Sequence, residues 1–258
     1  MRQVKLIKEG ISPYDIFQGN ISDHYFLSAI SALAEQPGRV ARLLISDKAN
    51  EKGCYCIALH LNGLWKEIYL DDFFPVSSSS GGYQKKYVVE EVESMVLDAP
   101  RNRLGASSKQ TFGTDNKSNV SIRTANNQKL KLMFAHTKHA EIWSMLLEKA
   151  YAKANGGYWN IGDGGFADEA LSDLTGAPTE ALFVNEDTSK DLLWKRLDWC
   201  SRNNFVVICG TKKRRDIPGE GVGMNSGHMY NLIGCYKKKK QQRVSLDKIE
   251  RFTNLCIF

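Results

Sequence analysis

Residues 18–33 read Gln-Gly-Asn-Ile-Ser-Asp-His-Tyr-Phe-Leu-Ser-Ala-Ile-Ser-Ala-Leu, QGNISDHYFLSAISAL. Apolar side chains recur at Tyr25, Phe26, Ala29, Ile30, Leu33 and Ala34. That is the three-and-four spacing of an amphipathic helix with a broad buried face, predicted over 24–34. Ser22 and Asp23 are good N-cap residues, and Gly19 frees the turn before them. The stretch is a sharp loop feeding a core helix, with a histidine, His24, at the helix start.

Working outward, Gln36-Pro-Gly38 closes this helix and 40–45 reads as a short second one. The runs 54–61 and 64–70 alternate around Asn62-Gly63, a strong hairpin signal. Ser77 to Gly82 is a serine- and glycine-rich linker, and 98–127 is polar with little period. The segment 77–127 therefore reads as an insertion or a disordered loop, with a short helix or strand at 87–97. Order resumes with an amphipathic helix at 141–153 that stops at Asn155-Gly156-Gly157. Helices at 168–174 and 192–199 and strands at 205–210 and 227–234 follow. His60 reads as a packed strand residue, and His136 and His139 as surface residues. Helices in front and strands behind predict an α+β fold.

The bulk composition narrows the classes. The 258 residues are 42% hydrophobic and 25% charged, enough for one large domain or two small ones. The net charge of +6 gathers partly in Lys212–Arg215 and Lys237–Lys240. Runs this short read as solvated loops, so no nucleic-acid partner is expected. No apolar run approaches the roughly 20 residues of a membrane span. The start, MRQVKLIKEG, has no apolar core of a signal peptide. Cys54, Cys56, Cys200, Cys209, Cys235 and Cys256 fit neither zinc spacing nor a disulfide framework. Reduced thiols in a cytoplasmic protein are the expectation.

A thiol peptidase needs a cysteine at a helix N-terminus, where the helix dipole and free N–H groups lower its pKa. It also needs a distant histidine as base and donors for the oxyanion. This chain has a glutamine ahead of the helix, Gln18, the helix start at 24, and His228 after a glycine at the opening of a late strand. The cysteine is absent from position 24.

These residues resemble the calpain family. QGNISDHYFLSAISAL is similar to the family pattern Gln-Gly-x-x-Gly-Asp-Cys-Trp-Phe-Leu. EIWSMLLEKAYAKANGGY (141–158) resembles the run Leu-Leu-Glu-Lys-Ala-Tyr-Ala-Lys. DEALSDLTGAP (168–178) and SGHMYNLIG (226–234) resemble two later blocks, the second holding the base. The four blocks occur in the family's order and span most of 13–76 and 129–236.

The resemblance implies a papain-like cysteine protease fold in two subdomains. It places the nucleophile-side subdomain at 1–180, with the 77–127 insertion inside it. It places the strand-rich, histidine-side subdomain at 181–258, where it looks incomplete. It implies Gln18 as oxyanion donor, His24 at the nucleophile position and His228 as general base. It implies calcium, with Asp15 and Glu169 as carboxylate ligands. It implies a protein or peptide substrate in the cytosol, and exposed strand edges leave room for a partner protein that completes the second subdomain. The departures set the activity expected. Imidazole at 24 is a base and not a peptidase nucleophile, Ser22 and Tyr25 replace a glycine and a tryptophan, and no Asn-Pro-Trp follows His228. Loss of the nucleophile removes most catalysis in comparable triads. The chain is therefore expected to be a catalytically impaired calpain-like domain, or a calcium- or peptide-binding module without turnover.

Overall fold

The structure is a computed structural model. It describes residues 5–7, 10–48, 52–78, 95–97, 120–123, 129–137, 141–184, 187–210, 228–238, 241–252 and 255–257.

A 3₁₀ turn at Pro13–Asp15, capped by Ser12, leads into strand β1 (Ile16–Phe17) and then helix α1 (His24–Ala34). Every α1 residue from Tyr25 to Ala34 is buried. A helix apolar all round belongs in a core, and Ser28, Ala29, Ser31 and Ala32 are small enough to let neighbours close on every side. Ser28 and Ser31 are satisfied locally, donating to His24 O at 2.6 Å and Pro13 O at 3.4 Å. Asp23 sits at the N-cap position, but its side chain makes no cap bond and is buried. The N-cap expected from the sequence is thus in place, with its carboxylate buried and not bonded to a first-turn N–H.

Helix α2 (Pro37–Ala41) begins at its proline, and β2 (Cys54–Leu61) and β3 (Leu64–Asp71) form the expected hairpin. Asn62 and Gly63 both take positive φ, 54° and 79°, as a type I′ turn requires. The hairpin buries much of β2 and exposes most of β3.

Within 77–127, strands β4 (Val76–Ser78), β5 (Met95–Leu97) and β6 (Val120–Arg123) join β7 (Lys129–Leu132) in an antiparallel sheet of order β4-β7-β6-β5. Residues 79–94, 98–119 and 124–128 of the expected insertion lie outside the described residues. Strand β8 (His136–Thr137) pairs with β1, placing Phe17 opposite His136.

Helix α3 (Trp143–Ala154) is buried over most of its surface, including Glu148. It ends through Gly156 and Gly157, with Gly157 N–H donating to Ala152 O at 2.7 Å. Helices α4 (Tyr158–Gly162) and α5 (Ala167–Thr175) follow. Gly176 ends α5 with φ 70°, the left-handed turn that glycine adopts without strain. Strand β9 (Glu180–Leu182), helix α6 (Lys190–Arg202) and strands β10 (Val207–Gly210), β11 (His228–Lys238), β12 (Gln241–Phe252) and β13 (Leu255–Ile257) complete the chain. They form an antiparallel sheet of order β12-β11-β10-β13-β9.

The fold is α+β. One core joins both parts, because Val206, Ile208, Met229 and Tyr230 pack in the same apolar cluster as α1, α3 and α5. Each fully buried Leu, Ile or Phe there contributes roughly 1.5–3 kcal/mol, and α1 supplies Phe26, Leu27, Ile30 and Leu33 to this cluster. Among the described residues no helix is long and apolar enough to cross a membrane.

Candidate functional site

The loop 18–23 is fixed from several sides before it delivers the chain into α1. Gly19 lies so close to the backbone of Phe134 that an added Cβ would fall 2.3 Å from the Phe134 Cα. Asn20 N–H donates to Met133 O at 2.8 Å, and Ser22 N–H to Gly162 O at 3.0 Å. The exposed Gln18 turns its amide inward, donating Nε2–H to Ile21 O at 2.7 Å. Phe26 and Leu27 N–H both donate to Asp23 O, at 2.9 and 3.1 Å, which starts the helix. His24 follows at once, half-buried, beside first-turn amides that have no acceptor within the helix. Position 24 therefore has the positive end of α1 beneath it.

Tyr25 points the other way, into the protein. Its ring lies edge-on to Tyr151 with centroids 6.3 Å apart, and Gly165 approaches so closely that a Cβ there would fall 2.6 Å from the ring. Burial, ahead of the hydrogen bond with Tyr151 that opposes it, pushes the Tyr25 hydroxyl up to about 12.

His228 opens β11 opposite Phe252. Asn231, further along β11, donates Nδ2–H to Ser31 Oγ of α1 at 3.2 Å. Ala32 and Glu35, towards the end of α1, line a cavity of about 210 Å³ with Leu232 and Ile233.

Asp15 closes the 3₁₀ turn ahead of β1, and Glu169 lies exposed in the first turn of α5. Among the described residues no three carboxylate, imidazole or thiolate side chains gather in a way that could hold a metal. Calcium takes six to eight oxygens, so Asp15 and Glu169 would supply only part of a shell that backbone carbonyls and waters complete.

None of the described cysteines occupies a helix start. Cys54 and Cys56 lie on β2, Cys200 in the last turn of α6, Cys209 on β10 and Cys235 on β11. Burial pushes the Cys56, Cys200 and Cys235 thiols up, the opposite of an activated thiolate.

Two features escaped the sequence reading. His136, expected at the surface, is buried and stacks on Phe17 with centroids 5.6 Å apart, because β1 and β8 pair across a long sequence separation. His60 is half-buried and edge-on to Trp65, while His139 lies outside the described residues. The second feature is a carboxyl pair, Asp23 with Glu148. Glu148 has Ser144, Met145, Tyr151 and Ala152 at helical spacing, and a carboxylate in so apolar a stripe was the available signal.

Comparison with known proteins agrees with this architecture. The profile of the calpain family cysteine proteases matches residues 1–115 and 111–251. The chain is 26% identical over 227 residues to the calpain-type cysteine protease DEK1 of Arabidopsis thaliana, covering 86% of this chain and 8% of that protein. It is 25% identical over 258 residues to calpain-9 of Homo sapiens, covering 96% of this chain and 29% of the relative. It is 26% identical over 254 residues to calpain-13 of Rattus norvegicus, covering 96% and 30%. The chain thus spans less than a third of each of these relatives. With the two profile matches together covering residues 1–251, the chain belongs to the calpain family of cysteine proteases.

Proposed function

We propose that this chain is a calpain-type protease domain silenced at position 24. The observation that carries the reading is the residue at the start of α1: an imidazole stands at the helix N-terminus, and every described thiol lies elsewhere.

In the family chemistry, a thiolate at this position attacks the scissile carbonyl carbon and forms a tetrahedral oxyanion. Gln18 and the first-turn N–H groups are the donors for that oxyanion. His228 as base takes the thiol proton and returns it to the leaving amine, leaving a thioester that water hydrolyses. Gln18 Nε2 is held by Ile21 O, so its service as donor requires a rotation of that side chain. With His24 in place the attack has no sulfur nucleophile, while the loop, helix dipole and the strand carrying His228 persist as a peptide-binding frame.

Calcium enters this reading from the family alone, with Asp15 and Glu169 as the positions assigned to it, and no step is routed through it. In the sheet as described, β9 and β12 are the outer strands. A partner protein completing the second subdomain would add there.

The test is casein hydrolysis by the unaltered chain, with and without added calcium, followed by gel and mass spectrometry. No fragments are expected in either condition. Casein fragments whose formation is abolished by His228→Ala would overturn the reading.

A further inference from the structure

Asp23 and Glu148 are used by none of the peptide chemistry, yet both are buried, at 0% and 1% exposure. Glu148 receives one backbone donor, the Ala135 N–H, shared between its two carboxyl oxygens at 3.1 and 3.0 Å. Among the described residues no donor reaches either side-chain oxygen of Asp23. The two carboxyls act on each other through a side-chain hydrogen bond, so a proton held between them would supply the missing donor. Two adjacent carboxylates out of water cannot both ionise at ordinary pH.

The placement gives the pair a task. Asp23 ends the loop 18–23, and Glu148 is fixed by Ala135. Gly19 and Asn20, at the start of that loop, rest on Phe134 and Met133. Both ends of the loop are therefore anchored on the one segment 133–135. We propose that the Asp23–Glu148 pair is a proton-held clamp that positions loop 18–23 and the side chain at 24, and that it loosens when the shared proton leaves.

The groups around the pair favour this behaviour. Tyr158 of α4 lies nearby; its buried hydroxyl has no hydrogen-bond partner among the described residues, and both carboxyls help to push its pKa up. Tyr25 of α1 feels Asp23, and Asp71 of β3 acts on Tyr158 and is neutralised by Lys149. Among the described residues no neighbouring cation holds either carboxyl down. Burial pushes Asp23 up to about 6, and burial with the Asp23 charge pushes Glu148 well above the usual carboxylate range. The folded chain therefore holds protons that the unfolded chain releases near the ordinary carboxylate value of about 4. Stability is fullest below that value and declines as pH rises through Asp23's value and on towards that of Glu148.

The experiment follows thermal midpoint and Ala135 amide exchange, corrected for intrinsic rate, from pH 5 to 9 in the natural chain and in Glu148→Gln. In the variant the side-chain amide introduced at position 148 donates to Asp23 at every pH. The natural chain is expected to lose midpoint and Ala135 protection as pH rises, by about tenfold or more in exchange rate for a shift of one pKa unit or more. Glu148→Gln is expected to flatten that limb. An unchanged limb in Glu148→Gln, or a natural chain without one, overturns the proposal. Should the variant not fold, the infrared carbonyl stretch of a protonated carboxylic acid in the natural chain at pH 7 decides: its presence is expected, and its absence overturns the clamp. These readouts are independent of whether the chain cleaves peptides.

Discussion

The carboxyl of Asp23, the residue just before α1, lies buried against that of Glu148 in the middle of α3, with Ala135 N–H shared by both Glu148 oxygens. The N-terminus of the helix that carries position 24 is thus linked to a second core helix and to the segment between β7 and β8 at once. Truncating one partner leaves the other buried without its hydrogen bond. Asp23→Ala and Glu148→Ala are each expected to cost about 1–3 kcal/mol. The double variant should cost less than the sum, with a coupling of about 0.5–3 kcal/mol. Urea unfolding at pH 6 measures all four corners, and strict additivity would contradict the pairing.

Gly19 meets backbone and not side chain: a Cβ there would lie 2.3 Å from Phe134 Cα and 2.5 Å from Met133 O. No rotamer change relieves such a clash, so the loop must lift from 133–134. Gly19→Ala is expected to cost about 1–3 kcal/mol and to speed exchange of the Asn20 amide, whose acceptor is Met133 O. An unchanged melting midpoint and Asn20 exchange rate would show that the loop is not seated there.

Thiol reactivity should follow exposure and burial-raised pKa. Cys54 is exposed, whereas Cys56 and Cys200 are buried with thiols pushed up. Iodoacetamide at pH 7.5, read by peptide mass spectrometry, is expected to label Cys54 faster than Cys56 and Cys200 by about tenfold or more. Equal labelling of Cys200 and Cys54 would contradict the packing of α6 on the sheet.

Much of the fold is legible in local sequence because local physics sets it. Asn62-Gly63 specifies the hairpin turn by positive φ, and Gly156, Gly157 and Gly176 stop their helices. The small-and-apolar run 25–34 makes a core helix whatever surrounds it. What stays hidden depends on residues distant in sequence. Asp23 reads as a helix cap until Glu148 of α3 is known to lie beside it. His136 reads as exposed until β8 is paired with β1. The strand at 95–97 falls within 87–97, read as a short helix or strand, whereas the one at 120–123 lies in a polar stretch with little period and is specified by pairing with β5 and β7. The site shows the same division. Gln18, His24 and His228 are visible in the sequence as residue types in the family's order, whereas the neighbouring burial of Asp23 and Glu148 is visible only in three dimensions.

Position 24, on this reading, is a nucleophile site whose nucleophile has been replaced. The most direct test is the pH dependence of iodoacetamide alkylation of the thiol introduced by His24→Cys, with Cys54 as an internal reference. The introduced thiol is expected to react as a thiolate with a pKa well below the ordinary value of about 8.5, because the α1 N-terminus stabilises the anion. A thiol at position 24 that titrates at or above the ordinary value, or reacts more slowly than Cys54 across the range, would contradict that reading.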